Sequence, residues 1–241
     1  MSTTFGRVTE IYLNSIDGRG MLPSSIGNFQ IISNMLFYDT KISGSIPNSI
    51  GALTSLQTLI FVGNSFVGTI PISIGGLTSL SLLIISGNQI GGSIPNSLGN
   101  LILLNDLRLS GNKLTGKLPD NFSSLVALNR LSIEDNSLVG NIPSSVGRMT
   151  SLTQIVLNAN FLDGTIPSTM SALTSLDFLD FSNNYLTMGT ATSVPIATFS
   201  SNTLSGSMNL QDNCLAFDTS SPYPYRHVTA THCRSTSKYE L

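Results

Sequence analysis

A proline preceded by isoleucine or leucine returns at one fixed interval through most of this chain. The steps keep a 24-residue spacing without a slip at Leu22-Pro23, Ile46-Pro47, Ile70-Pro71, Ile94-Pro95, Leu118-Pro119, Ile142-Pro143 and Ile166-Pro167. A fixed period of this length is the signature of a solenoid, in which each repeat is one coil that packs only against its neighbours. Because such a stack presents one long continuous surface, the period favours recognition over catalysis in a closed pocket.

The composition argues against several other classes of protein. The 241 residues carry a formal net charge of -2, which gives no electrostatic reason to expect a nucleic acid as partner. Apolar residues are dispersed and periodic, and no run approaches the roughly 18 residues of a membrane-spanning helix. The sequence does not open with a charged and then apolar leader. We therefore predict no nucleic-acid partner and no membrane span.

Each repeat contains a pair of apolar residues separated by one position, such as Leu107 and Leu109 in the unit that begins at Leu101. Alternate side chains of a strand point to the same face, so this spacing predicts a short strand with both residues facing the core. The equivalent pairs are Ile11/Leu13, Met35/Phe37, Leu59/Phe61, Leu83/Ile85, Leu131/Ile133, Ile155/Leu157 and Leu179/Phe181. Stacking these strands predicts a parallel sheet along one side of the solenoid.

An asparagine follows most of these strands, three positions after the second apolar residue. The column consists of Asn64, Asn88, Asn112, Asn136, Asn160 and Asn184. A buried amide is costly unless it is paired, and asparagine carries both donor and acceptor groups. We therefore expect a structural Asn ladder whose side chains bond the turning backbone of neighbouring coils.

Glycine and proline predict how each coil continues. Glycine lies four positions after the asparagine, at Gly68, Gly92, Gly116, Gly140 and Gly164, where we expect a bend. The apolar-Pro step then ends the extended structure and can open a short helical turn. Gly27, Gly51, Gly75, Gly99 and Gly147 fit the end of that turn. Each coil is thus predicted as strand, bend, proline step and helical turn, with the turns on the side opposite the sheet.

The segments LNDLRLSGNKLTGKLP (104–119) and LTSLQTLIFVGNSFVGTIP (53–71) follow the pattern L-x-x-L-x-L-x-x-N-x-L-x-G-x-I-P. Over about residues 5–188 the chain thereby resembles the plant-type leucine-rich repeat family. The resemblance implies an α/β solenoid, a right-handed superhelix with a concave parallel β-sheet and short helical turns on the convex side. It also implies an extracellular or cell-surface location, since the family is common in receptor ectodomains and secreted proteins.

The two ends of the chain depart from the repeat. We expect a solenoid of about eight units over residues 1–188. Its first units are atypical, because Ile16 and Thr40 occupy the asparagine column. Over residues 189–241 we expect an irregular last repeat and a C-terminal cap. The stretch 197–206 restores the Asn-x-Leu-x-Gly pattern at Asn202, less than one full repeat after Asn184, and predicts a shortened ninth unit. Because family members carry a cap and a signal peptide before the first repeat, we expect this sequence to be a fragment, a truncated gene model or an isolated domain.

The tail contains Cys214, His227, His232 and Cys233, which are all residue types that ligate zinc. The adjacency of His232 and Cys233 makes joint tetrahedral ligation awkward, and there is no C-x-x-C motif. A disulfide between Cys214 and Cys233 is the favoured alternative, and it would stabilise a C-terminal cap by about 3 kcal/mol in the chain-entropy model. We predict no metal site.

Asn121 begins the sequence Asn-Phe-Ser, the acceptor pattern for N-linked glycosylation. The repeat places it on the side of the helical turns, where a glycan has room. Asn121 is therefore a candidate glycosylation site.

The residues of each strand that point away from the core form ladders across the concave face, at ~4.8 Å intervals. The central ladder consists of Tyr12, Leu36, Ile60, Ile84, Arg108, Ser132, Val156 and Asp180. Its first half is apolar, with Tyr38, Val62 and Leu82 beside it, and predicts an exposed apolar patch that binds a partner. Strand propensity alone also favours such residues, which leaves a purely structural alternative open.

The second half of this face is polar and charged. Asp106 and Arg130 occupy the same column on adjacent strands, and we expect them to form an ion pair. The predicted partner-binding residues are Tyr12, Leu36, Tyr38, Ile60, Val62, Leu82, Ile84, Arg108 and Arg130.

These features predict a non-catalytic module that recognises a protein or peptide through its concave face. No Ser-His-Asp, Cys-His, phosphate-loop or cofactor motif is present, so we predict neither an enzyme nor a cofactor. One alternative is an inhibitor of an extracellular cell-wall hydrolase, similar to polygalacturonase inhibitors. Another is an ice-interacting protein, although the column before each Ile-Pro step is irregular for a lattice: Met21, Ser45, Thr69, Ser93, Lys117, Asn141 and Thr165.

Overall fold

The computed structural model describes residues 8–17, 19–187, 208–210 and 213. Within these residues the eight predicted strands are β1 Glu10–Asn14, β2 Asn34–Tyr38, β4 Thr58–Val62, β6 Leu82–Ser86, β8 Asp106–Arg108, β10 Arg130–Ser132, β12 Gln154–Val156 and β14 Phe178–Asp180. A ninth strand that the sequence analysis did not predict is β15 Met208–Asn209. Together they form one parallel sheet of nine strands, called here the long sheet, in the order β1-β2-β4-β6-β8-β10-β12-β14-β15.

The register of the long sheet reproduces the period of the sequence. Ile60 pairs with Leu36 on one side and with Ile84 on the other, each one repeat away along the chain. Columns of the sequence are therefore columns in space. From the second repeat onward, the paired apolar residues, such as Leu107 and Leu109, are buried in one continuous core, and Ile11 and Leu13 of the first repeat are partly buried against it.

Short 3-10 helices occupy the opposite side and confirm the predicted helical turns. They span Ser24–Asn28, Asn48–Ala52, Ile72–Gly76, Asn96–Asn100, Asp120–Ser124, Ser144–Arg148 and Ser168–Ala172. Each follows a proline in the extended conformation, such as Pro47 with φ -72° and ψ 147°. The next apolar residue ends the turn, as where the Leu53 N–H donates to the Ile50 carbonyl. A five-residue 3-10 helix makes between one and two turns, and its apolar side chain, here Ile50, enters the core.

A second set of strands lies between the long sheet and the helical side, in the segment where the sequence predicts only a bend. These strands are β3 Ser43–Ser45, β5 Ser65–Val67, β7 Gly91–Ser93, β9 Lys113–Gly116, β11 Ser137–Asn141 and β13 Phe161–Asp163. They form parallel sheets of two and four strands. The predicted bends occur within or beside them, where Gly68 and Gly92 adopt φ of +79° and +69°. The sequence pattern missed the strands because each places at most one apolar side chain, such as Phe66, in the core, and β3 and β7 contain none.

The Asn ladder ties each coil to the one before it. The amide nitrogen of Asn136 donates to the Leu109 carbonyl at 3.0 Å, and its Oδ1 accepts the Leu114 N–H at 3.0 Å. Both of these partners belong to the preceding coil. The same donation reaches the preceding coil from Asn64, Asn88, Asn112, Asn160 and Asn184.

Thr40 shows how an atypical repeat fits the ladder. It occupies the asparagine column but is fully buried, and both its backbone N–H and its Oγ1 donate to Oδ1 of Asn64, at 3.1 and 2.6 Å. The Thr40 hydroxyl therefore donates directly to the ladder asparagine of the next coil, Asn64.

Asn213 takes the next position of the ladder after Asn184. Its amide nitrogen donates to the Phe181 carbonyl at 2.9 Å, and its Oδ1 accepts the Leu186 N–H at 3.0 Å. Strand β15 likewise pairs with β14, with Asp180 opposite Asn209. The chain takes more than a full repeat after Asn184 to return to the sheet, and the predicted ninth unit at Asn202 lies outside the described residues. Met208-x-Leu210-x-x-Asn213 has the spacing of a repeat and was the available signal.

Several predictions fall outside the described residues. These are Asn202 and the four tail residues Cys214, His227, His232 and Cys233. The disulfide and the C-terminal cap remain predictions. Among the described residues, the helices are too short to cross the apolar layer of a membrane.

Replacing Asn136 with alanine should lower the free energy of unfolding by about 1–3 kcal/mol, because it leaves a buried N–H and a buried carbonyl without partners. The exposed Asn100, whose side chain makes no hydrogen bond within the described region, provides a matched control. Urea unfolding followed by circular dichroism should show little change for Asn100→Ala. Equal losses in the two variants would contradict a role for the ladder in stability.

Candidate functional site on the long sheet

The open face of the long sheet is defined here by the strand residues whose side chains point away from the core. Strand pairing aligns them in columns. The first column consists of Glu10, Asn34, Thr58, Leu82, Asp106, Arg130, Gln154 and Phe178. The middle column consists of Tyr12, Leu36, Ile60, Ile84, Arg108, Ser132, Val156 and Asp180. Asn14, Tyr38, Val62 and Ser86 begin a third column.

The apolar part of this face covers the first four strands, as the sequence predicts, but its exposure is uneven. Tyr12 is 55% exposed, whereas Ile60 is only 5% exposed. The predicted exposure of Ile60 is therefore wrong. Leu36 and Ile84 flank it on the two adjacent strands, and strands ~4.8 Å apart let branched side chains close over the one between them. Ile60 is thus the floor of the patch.

Half-buried side chains surround this floor and form the accessible surface. They are Leu36, Tyr38, Val62, Leu82 and Ile84. A partner that covers them would remove the remaining apolar area from water, which is the main driving force of association.

A pair of tyrosines closes the patch at the first strand. The rings of Tyr12 and Tyr38 lie 6.1 Å apart between centroids, tilted by 59°. Asn14 donates to the Tyr12 hydroxyl at 3.1 Å. The pair combines apolar ring area with hydroxyl groups that can bond a partner, a combination that is enriched at interfaces.

The charged part begins at Arg108, which pairs within its own strand. Arg108 Nε donates to Asp106 Oδ1 at 2.9 Å, and a terminal guanidinium nitrogen donates to Oδ2 at 2.6 Å. The predicted ion pair between Asp106 and Arg130 is therefore wrong. Residues two apart on a strand face the same side, so Arg108 reaches both carboxylate oxygens in a bidentate arrangement. These hydrogen bonds raise the pKa of Arg108 above its usual value against the opposing effect of burial, and Glu134 adds to the rise.

Arg130 is left as a half-buried cation beside this pair. Within the described residues its side chain makes no hydrogen bond and no ion pair. Glu134, on the same face, accepts a hydrogen bond from the Ser132 hydroxyl at 2.6 Å. Arg130 is therefore an unpaired cation among the described residues of this face, whereas Asp106 and Arg108 hold each other in place.

A shallow groove of about 430 Å³ lies away from the open face, beside the last ladder positions. Its lining includes Asp135, Asn183 and the stacked rings of Phe161 and Tyr185, whose centroids are 6.1 Å apart. Sequence analysis missed it, although the column after the ladder asparagine turns from polar to aromatic at these two rings. No group of three or more potential metal ligands occurs among the described residues.

Comparisons with known proteins agree with this architecture. The family model described as Leucine Rich Repeat matches residues 55–77, 79–101 and 103–125. The ectodomain of the receptor kinase SOBIR1 from Arabidopsis thaliana is 34% identical, with a TM-score of 0.51 over 53% of this chain and 71% of that chain. The chain belongs to the plant-type leucine-rich repeat family. No curated protein matches its sequence.

Two further structures share this leucine-rich repeat fold. The plant peptide hormone receptor RGFR1, solved in complex with RGF2, is 35% identical, with a TM-score of 0.76 over 82% of this chain and 31% of that chain. A plant ice-binding protein is 26% identical, with a TM-score of 0.57 over 76% of this chain and 67% of that chain. The present leucine-rich repeat chain spans only 23% to 37% of the length of four receptor chains that it matches.

A double-mutant cycle on alanine variants of Asp106 and Arg108 should give a coupling energy of about 0.5–1 kcal/mol in chemical unfolding at low salt. The same cycle on Asp106 and Arg130 should give a coupling close to zero, because their side chains do not pair. A larger coupling to Arg130 than to Arg108 would contradict the geometry of the charged part.

Proposed function

We propose that this chain is a non-catalytic recognition module that binds an extended peptide, or an extended segment of a protein, along the open face of the long sheet. The observation that carries the proposal is the composition of that face. A patch of half-buried apolar side chains over the first four strands continues directly into a charged region, where Arg130 has no partner among the described residues. Apolar centres with polar rims are typical of protein interfaces.

The dimensions of the long sheet support an extended ligand. Nine strands at ~4.8 Å spacing span roughly 40 Å across the strands. A fully extended peptide rises about 3.4 Å per residue, so about 11 or 12 residues would cross the whole face. Apolar side chains of the ligand would lie over Leu36, Val62 and Ile84, and an acidic group would pair with Arg130.

The comparisons support the same class of ligand. RGFR1 is a peptide hormone receptor, and this chain matches it over most of the present length. Its other matches include ectodomains of plant receptor kinases. The proposed location is accordingly extracellular or at the cell surface.

An ice-binding role is the second candidate, and the similarity to a plant ice-binding protein supports it. The geometry of the short strands argues against it. They form separate sheets of two and four strands, and the exposed Lys113 and Lys117 interrupt the side chains that would face a lattice. We expect no thermal hysteresis from the purified chain, and a clear freezing-point gap with shaped ice crystals would favour ice binding instead.

The main proposal is tested by selecting peptides from a random 12-residue phage-display library on the immobilised chain. Val62→Asp places a charge in the apolar patch and should weaken the selected peptides at least tenfold. Val126→Asp makes the same substitution at a 55% exposed site outside the open face and should leave their affinity unchanged. Affinities are measured by fluorescence polarisation on variants with unaltered circular dichroism.

Three results would overturn the proposal. The first is a library that enriches no binder, and the second is a set of peptides that bind the Val62→Asp variant as tightly as the wild type. The third is an equal loss of binding in the two variants, which would place the binding surface elsewhere on the solenoid.

A further inference from the structure

One column on the helical side carries a short hydroxyl residue in every coil except that of Asn121. The column consists of Ser25, Ser49, Ser73, Ser97, Asn121, Ser145 and Thr169. Several of its hydroxyls bond the preceding coil: Ser97 Oγ donates to the Ile72 carbonyl and Thr169 Oγ1 to the Ser144 carbonyl, both at 2.6 Å. In these coils the column thus carries a small residue, although the hydroxyls of Ser49 and Ser73 are buried without a hydrogen-bond partner.

Asn121 is larger than the other members of the column, and the fold does not use its amide group. It lies in the 3-10 helix Asp120–Ser124, is exposed, and makes no side-chain hydrogen bond within the described residues. Its backbone is nevertheless closely packed, since a Cβ added to Gly99 of the preceding coil would lie 2.5 Å from the Asn121 carbonyl oxygen. The backbone is thus held in place while the amide stays in solvent.

Asn121-Phe122-Ser123 is also the single Asn-x-Ser/Thr sequence in the chain. We propose that Asn121 is the attachment site of an N-linked glycan. In the transfer, Asn121 Nδ2 bonds to the anomeric carbon of an oligosaccharide carried on a lipid pyrophosphate. The bond from that carbon to the pyrophosphate oxygen breaks, the lipid pyrophosphate leaves, and the amide nitrogen loses one proton. The inference rests on the extracellular location given under the proposed function.

The packing of the acceptor tripeptide fixes when the transfer takes place. Phe122 is 1% exposed in the core, and Ser123 is half-buried. The Phe122 N–H donates to the Pro119 carbonyl, and the Leu125 N–H donates to the Phe122 carbonyl. Unwinding this turn to fit a transferase would pull a phenylalanine out of the core, so the glycan is added before the coil packs.

The position of Asn121 also suits the proposed binding face. The 3-10 helices lie on the side of each coil opposite the long sheet, so a glycan at Asn121 leaves the apolar patch and Arg130 accessible. It adds a bulky, solvated group only to the helical side.

The experiment expresses the full chain behind a cleavable signal peptide in cultured insect cells and measures the intact mass of the secreted protein. Wild type should carry the mass of one glycan, removed by peptide-N-glycosidase with conversion of Asn121 to aspartate. Asn121→Ser and Ser123→Gly should each abolish the added mass. Both introduce residues that other coils carry at these positions, so both should fold, with melting temperatures close to that of the deglycosylated wild type. Ser123→Thr should retain the glycan.

Secreted, folded wild type with an unmodified Asn121 would overturn the inference, as would a glycan that survives Asn121→Ser. The timing is tested on bacterially produced chain, incubated with the transferase and lipid-linked oligosaccharide either folded or unfolded in urea and then diluted. Only the diluted chain should be modified, and equal modification of the folded chain would contradict addition before packing. Peptide binding by the Asn121→Ser variant is measured separately. A failure of the proposed peptide binding can then be distinguished from a failure of glycan attachment.

Discussion

The buried amide at the end of each long strand is the interaction on which the rest of this solenoid depends. A coil that turns away from its strand leaves backbone N–H and carbonyl groups that neither the sheet nor the 3-10 turn satisfies. Asn136 resolves this by bonding Leu109 and Leu114 of the preceding coil, and Asn213 repeats the scheme even after the period is lost. Because each amide fixes one coil against the last, the register of the repeat persists across the long sheet.

A fixed register separates positions that hold the fold from positions that are free to vary. Core residues and ladder residues repeat because each lies in an equivalent environment in every coil. Side chains on the open face point away from the core, so Ile84 can be followed by Arg108 in the middle column without disturbing the core. Asn121 is free in the same sense on the opposite side. The positions that break the repeat are therefore where the function of this chain is to be sought.

Sequence reasoning succeeded where a contact is set by the period and failed where it depends on packing between neighbouring side chains. The parallel sheet and the helical turns follow from spacing alone. The burial of Ile60 does not, because it results from Leu36 and Ile84 closing over it. The partner of Asp106 was missed for a related reason. Arg130 lies directly opposite Asp106 in the first column, whereas Arg108 lies two residues along the same strand, and only side-chain geometry selects Arg108.

By itself, the sequence determined the architecture: one parallel sheet, a ladder of buried amides, and a turn after each proline, all repeating with the same period. Only the tertiary structure decided which part of the open face is accessible, which arginine pairs with Asp106, and that Asn213 continues the ladder. The physical reason is the range of the interactions. Backbone geometry and burial repeat with the local pattern, whereas exposure and charge pairing depend on side chains that meet only after the coils have stacked.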